Sequence, residues 1–284
     1  MVVERVHFDS AGVRLAGDLY LPVGKASTVV VVAGSWTTVK EQMAARYARG
    51  LAARGIAALA FDFRGFGESG GLPRDAELPA RKIADLVAAA YFLRSSVDVE
   101  QVCALGVCAG AGYVAGAAAS FDSVALVAPW LHDAALVGSV FGGPSGVRRR
   151  LDRGEQAAWR YRVTGVVDYV PAVSETDEEA AMCGPFEYYL DRARGAIPQW
   201  PNRFAVLSWQ PWLTFDPVAA AAGITTPTVM VHSTDAAIPD GARRFHDSLA
   251  GPRALHWVSG TQFDFYDDPA TVGAALDLVA RHLS

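Results

Sequence analysis

The 284-residue sequence predicts an α/β architecture: a mainly parallel, doubly wound sheet with a helical segment inserted late in the chain. Three observations predict it. Residues 28–33, 56–61, 101–107 and 123–128 are short, continuous apolar runs, the mark of strands covered by helices on both faces. Stretches of helical length separate them, and strand–helix alternation builds parallel sheets through right-handed crossovers. The alternation stops after Pro129 and resumes at Pro227, which leaves room for an insertion.

Taken in order, Val3 to Phe8 and Val13 to Pro22 alternate apolar and polar residues and predict an antiparallel hairpin at the sheet edge. Helices are expected over Glu41 to Arg54, over Leu78 to Leu93 and from Ala109 onward. After the insertion, Thr228 to His232 and Ala254 to Val258 supply the last strands, and Pro269 to Leu283 a closing helix. The expected division is therefore a core of residues 1–129 and 225–284 with a lid over 130–224. Five of the seven tryptophans (130, 159, 200, 209, 212) fall in that insertion. Trp130, Tyr188 and Trp209 are candidates to line a substrate cleft, although each ring serves equally well to fix the insertion to the core. The run Arg148, Arg149, Arg150 with Arg153 reads as a solvated helix face. An anionic substrate, a carboxylate or a carrier phosphopantetheine, is its other use.

Hydrophobic residues make up 51% of the chain and the net charge is −5. That balance draws the surface to neither nucleic acid nor anionic membrane. No apolar run reaches the roughly 18 residues of a membrane span. The N-terminus lacks the charged start and apolar core of a secretory signal, and a cytoplasmic location is expected. Three cysteines, without metal-like spacing, fit reduced thiols. Cys103 and Cys183 read as packing residues. No G-x-G-x-x-G after a strand, Walker loop or ligand cluster implies a cofactor or metal. The oligomeric state is not legible.

The most informative stretch is Leu105-Gly106-Val107-Cys108-Ala109-Gly110-Ala111-Gly112. A strand runs into a helix through a turn with Cys108 at its apex and glycines two residues to either side. This is the G-x-S-x-G nucleophile elbow with cysteine in place of serine. Gly34-Ser35-Trp36 follows the first buried strand, and Asp62-Phe63-Arg64-Gly65-Phe66-Gly67-Glu68-Ser69 follows the second. Together, over residues 15 to 130, these segments resemble the α/β-hydrolases. The elbow cysteine is most similar to the dienelactone-hydrolase branch, and to the α/β-hydrolase-type Dieckmann cyclases.

The resemblance implies an enzyme in which the Cys108 thiolate attacks a carbonyl carbon. The Ala109 amide would form one half of the oxyanion hole, and Ser35 or Trp36 the other. Asp235, in the loop after Thr228 to His232, stands at the usual position of the triad acid; Asp133 is the alternative. The usual base position, before Phe263, holds Gln262, which cannot shuttle a proton. Of the six histidines, His132 is the candidate replacement, at the catalytic edge beside the insertion.

Three functions follow. Acyl transfer from an ester, lactone or thioester, small or carrier-bound, is the first, and the missing base favours cyclisation over hydrolysis within it. An isomerase or lyase using Cys108 without hydrolysis is the second. A non-catalytic small-molecule binder on the same scaffold is the third.

Overall fold

The computed structural model describes residues 1–284. Eight strands form one sheet: β1 (Val2–Ser10), β2 (Val13–Leu21), β3 (Thr28–Ala33), β4 (Ala57–Phe61), β5 (Gln101–Val107), β6 (Val124–Val127), β7 (Thr228–His232) and β8 (Arg253–Trp257). Their order across the sheet is β1-β2-β4-β3-β5-β6-β7-β8. β2 pairs antiparallel with β1 and β4, and every other pairing is parallel. The predicted hairpin thus lies at one edge, and the strand carrying the elbow lies near the centre.

The four consecutive valines of β3 are fully buried, because helices cover both faces. Helix α1 (Met43–Ala52) buries Met43, Ala44, Tyr47, Ala48 and Leu51, a stripe at helical spacing. Helix α2 (Pro79–Ser96) begins on a proline at its first turn, where a missing N–H costs nothing. Helix α3 (Ala109–Gly116) follows the elbow. The closing helix (Pro269–Leu283) packs Val272, Ala275, Leu276 and Val279 inward. The core is a single cluster running through sheet and helices.

Between β6 and β7 lies the inserted segment. It holds α4 (Ala134–Val140) and α5 (Gly143–Thr164), followed by short strands, turns and the short helices Glu187–Leu190 and Trp209–Leu213. Its aromatics bind it to the core. Trp209 packs 6.0 Å from Trp36 and 4.8 Å from Phe204, and Tyr188 packs 5.0 Å from Tyr266. No helix is long and apolar enough to cross a membrane.

Polar side chains are also buried at the turns that follow β3 and β4. Asp62 accepts hydrogen bonds from the Lys40 and Glu68 amides, and a Cβ on Gly67 would lie 2.2 Å from its carboxylate. The glycine at that place is therefore required. The Lys40 ammonium bridges Glu41, Asp62 and Glu68 at 2.5, 3.1 and 2.5 Å, and Arg5 pairs with Glu68 at 2.6 Å, so two cations offset part of the charge of this acidic trio. Motif D-x-R-G-x-G-x-S is thus a clamp joining β2, β4 and the turn after β3.

Candidate active site

The elbow comes from backbone sterics. Cys108 sits at φ +55°, ψ −119°, a conformation costly for a residue with a Cβ and tolerated where the surroundings fix it. Its N–H donates to Val127 and its C=O accepts from the Trp130 amide, so neighbouring segments hold both flanking peptides. The glycines follow from space. A Cβ on Gly106 would meet Ala111 Cα at 2.5 Å, and one on Gly110 would meet the Gly34 carbonyl at 2.4 Å. The same close approach brings the turn after β3 over the sulfur.

Cys108 forms part of the wall of a cavity of about 450 Å³, with Ser35, Trp36, Trp130, Tyr189, Trp212, Phe263 and Tyr266 among its neighbours. Four donors act on the sulfur: the hydroxyls of Ser35 and Tyr266, and the amides of Ala109 and Trp36. Burial outweighs them and pushes the thiol above its ordinary value, while the donors pull it down. Ala109, Ser35 and Trp36, the residues expected to supply oxyanion donors, thus converge on Cys108. Cys103, in β5, is an inert thiol pushed up to about 12 by burial; Cys183 is exposed at the cavity rim.

The turn carrying Ser35 and Trp36 is built for rigidity. Thr37 takes φ +62°, and its amide donates to the buried carboxylate of Glu77 at 2.5 Å. Glu77 also receives the Lys82 ammonium at 2.6 Å and the Tyr113 hydroxyl at 2.7 Å. Lys82 lies over the rings of Phe63, Phe66 and Tyr113, and burial lowers its pKa against the pull of Glu77.

The other half of the site differs from expectation. No histidine lines the cavity. His132 is buried with both ring nitrogens engaged: Nδ1 accepts from Trp130 Nε1 and Nε2 donates to the Trp212 carbonyl, each at 3.0 Å. Neither is left to take a proton from Cys108, and burial holds the ring's pKa down. Asp133 caps α4, accepting from the Ala135 and Leu136 amides, and pairs with Arg244; it does not line the cavity. Asp235 does line it, on an exposed loop, with no hydrogen-bonding or ionic partner for its carboxylate among the contacts of the fold.

Gln262 occupies the expected base position and is itself held. Its Oε1 accepts from the Ala237 amide at 3.0 Å, and its Nε2 donates to the Ala128 carbonyl at 3.0 Å and the Tyr266 hydroxyl at 3.3 Å. From there a chain of hydroxyls runs to Ser35: Tyr266 lies 3.2 Å from Ser35 Oγ, and Tyr189 donates to the same oxygen at 3.0 Å. Burial raises both tyrosines well above their ordinary value, which keeps the phenols neutral.

Among the predicted cleft residues, Trp130 and Gln262 line the cavity, whereas Tyr188 and Trp209 do not. Tyr188 turns away to pack on Tyr189 and Tyr266, and Trp209 faces Phe141 and Phe204. Tyr189 and Trp212 take their places. Sequence reasoning missed Tyr266 altogether; its position one helical turn after Gln262 was the available signal.

The alpha/beta hydrolase family model matches residues 29–275. The chain belongs to the α/β-hydrolase family. Uncharacterised protein PA2218 of Pseudomonas aeruginosa is 30% identical over 277 residues, covering 90% of this chain and 73% of that one. Its crystal structure superposes with a TM-score of 0.86 at 24% identity, covering 99% and 94% of the two chains. The thiohydrolase aneE of Aspergillus aculeatus is 38% identical over 114 residues, 39% of this chain and 35% of that one. The dienelactone hydrolase of Anabaena variabilis shares the fold at a TM-score of 0.59 and 14% identity, covering 99% and 96%.

Proposed function

We propose that this α/β-hydrolase is a cysteine-dependent acyl-transfer enzyme acting on thioesters, in which Cys108 is acylated and the acyl group leaves to a nucleophile other than base-activated water. The observation that carries the reading is the pairing of a fully furnished elbow with a base position held by a hydrogen-bonded Gln262. Ala109 and Trp36 amides stand ready for the oxyanion, a contribution of about 3–4 kcal/mol per donor to the barrier. No histidine lines the cavity to take up a proton, and no hydrogen bond links the Asp235 carboxylate to Cys108.

A thioester suits that arrangement because its proton balance closes. As the Cys108 sulfur attacks, one of the two hydroxyls beside it turns to accept its proton, and the Tyr266–Ser35 pair, each accepting one proton while donating another, passes a proton on to the departing sulfur. The C–S bond to the leaving thiol breaks, the Cys108–acyl bond forms, and no residue ends the step with changed charge. An ester would balance in the same way, but an alkoxide is far more basic than a thiolate and cannot leave until the proton has reached it, a heavier demand on neutral hydroxyls. The thiohydrolase relative is consistent with a thioester substrate. The inserted segment acts here as a lid that keeps water from the acyl-enzyme, which favours attack by a nucleophile within the substrate and hence cyclisation.

The test is to incubate the protein with short-chain N-acetylcysteamine thioesters, following thiol release and protein mass. A stoichiometric burst with the acyl mass on the Cys108 peptide is expected, absent in Cys108→Ala. Turnover that survives Cys108→Ala would end the proposal in favour of non-covalent catalysis. Absence of both acylation and turnover across the thioesters would favour a binding role.

A further inference from the structure

We infer that the cavity selects an acyl substrate carrying an oxyanion, a carboxylate or a phosphate, at a point away from the reacting carbonyl, and that Arg150 is the residue that reads it. The inference rests on the proposed thioester chemistry for the reacting end and adds the identity of the other end.

The run of arginines in α5 is not uniform. Arg148 and Arg149 are exposed and Arg153 pairs with Glu179. Arg150 alone lines the cavity, and it is the only cation that does so. Its guanidinium carbon lies 5.4 Å from the Phe141 ring centroid and 5.1 Å from that of Trp209. Nη1 donates to the Phe141 carbonyl at 3.1 Å and, more weakly, to the Gly146 carbonyl at 3.3 Å. These contacts fix one edge of the guanidinium, while Nε and Nη2 make no hydrogen bond within the fold. No carboxylate is within ion-pairing distance. Burial, with Arg149 and Arg153 close by, lowers its pKa against the weaker pull of Glu179, a carboxylate that is itself paired with Arg153.

An arginine pinned by aromatic stacking with a free edge is matched in shape to a planar or tetrahedral oxyanion. The position of the only other charged cavity residue gives the orientation. Asp235 stands in the loop that Gln262 holds through the Ala237 amide, on the reacting side. It repels an anionic group from that side, and Arg150, on the inserted segment, attracts it. A dicarboxylic half-thioester would place its carboxylate there from the acyl portion; a carrier-bound thioester would place a phosphate there from its leaving arm.

Two arms test this. In the first, Cys108→Ala protein is titrated by tryptophan fluorescence with monomethyl glutarate, dimethyl glutarate and phosphopantetheine. Binding of an anionic probe at least tenfold tighter than the diester, collapsing to parity in the Arg150→Gln background and partly restored by Arg150→Lys, is the expected result. The probe that shows the preference identifies carboxylate or phosphate. Equal binding of all three, or a preference that survives Arg150→Gln in protein with unaltered melting temperature, overturns the inference. This arm needs no turnover, so it is read even if Cys108 proves never to be acylated. In the second, the ratio of kcat/KM for glutaryl over butyryl N-acetylcysteamine thioester is compared between wild type, Arg150→Gln and Arg150→Lys. A ratio that falls tenfold or more in Arg150→Gln supports a carboxylate reader. A parallel loss for both substrates marks Arg150 as structural and overturns it.

Discussion

The two halves of the site have been treated differently by this sequence. On the oxyanion side, the turn from Gly34 to Thr38 is underpinned by buried Glu77, Lys82 and Tyr113 and presses against the elbow at Gly110. On the proton-transfer side, Asp235 is exposed and unpartnered, His132 is consumed by Trp130 and Trp212, and Gln262 is a brace. On the proposed chemistry, the difference teaches that stabilising charge on a tetrahedral intermediate and delivering protons to water are separable parts of the site. Here one half is a rigid scaffold, and most polar groups of the other are engaged in holding the fold.

Removing the nucleophile is the strongest way to break the comparison. Cys108→Ala is expected to lower acyl transfer by about 10⁴-fold or more, measured as thioester cleavage, with folding retained because alanine fits the same apex. Glu77→Ala strikes the rigid half. It strands the buried Lys82 ammonium, and such a loss costs about 3–5 kcal/mol, read as a fall in urea midpoint. Glu77→Gln is expected to cost less, since it keeps the volume.

Acid tests the other side through His232, at the end of β7 behind the Asp235 loop. Neither of its ring nitrogens has a hydrogen-bond partner, and burial pushes its pKa down to about 4 from the ordinary 6.5. The unfolded chain therefore binds a proton that the folded protein refuses. The resulting loss of stability starts as pH falls below about 6.5, grows to about 3 kcal/mol near pH 4 and then levels. Urea midpoints at pH 7, 5.5 and 4.5 follow it, and His232→Phe is expected to flatten the curve. His132 and His282, also pushed down by burial, leave a residual slope.

Restoring the base sharpens the comparison. Gln262→His is expected to speed water-dependent release of the acyl-enzyme by about 10²-fold, the lower end for general base catalysis, seen as disappearance of the burst. No gain would show that the proton-transfer half has lost more than one residue. The smallest effect concerns the thiol at rest. Because burial raises Cys108, alkylation by iodoacetamide is expected to climb about tenfold per pH unit from pH 7 to 8.5 without levelling. A plateau below pH 7 would mean that the four donors outweigh burial.

The buried strands, hairpin and elbow were legible because buried parallel strands and tight turns impose residue types directly: Val29 to Val32, Gly106 and Gly110 have few alternatives. The substitution at Gln262 was legible for the same reason, as a departure at a position fixed by the fold. The fate of His132 was not, since one hydrogen bond accepted from Trp130, 2 residues away, and one donated to Trp212, 80 residues away, leave no local pattern. Tyr188 was mistaken for Tyr189, and Trp209 for Trp212, because short helices in irregular chain lack the periodicity that tells one face from another. Arg150 was indistinguishable in sequence from Arg148 and Arg149; only the packing of α5 against Phe141 and Trp209 singles it out.

The contact between Gly110 and the Gly34 carbonyl sets a limit for anyone wishing to evolve this scaffold. With a Cβ at position 110 only 2.4 Å from that oxygen, side chains cannot be added between elbow and oxyanion turn. Random libraries at these positions would return inactive clones for want of space and teach nothing about selectivity. Diversity belongs in the inserted segment, at Val140, Phe141, Arg150, Met182 and Phe186, where the wall of the cavity can be redrawn while the floor stays as it is.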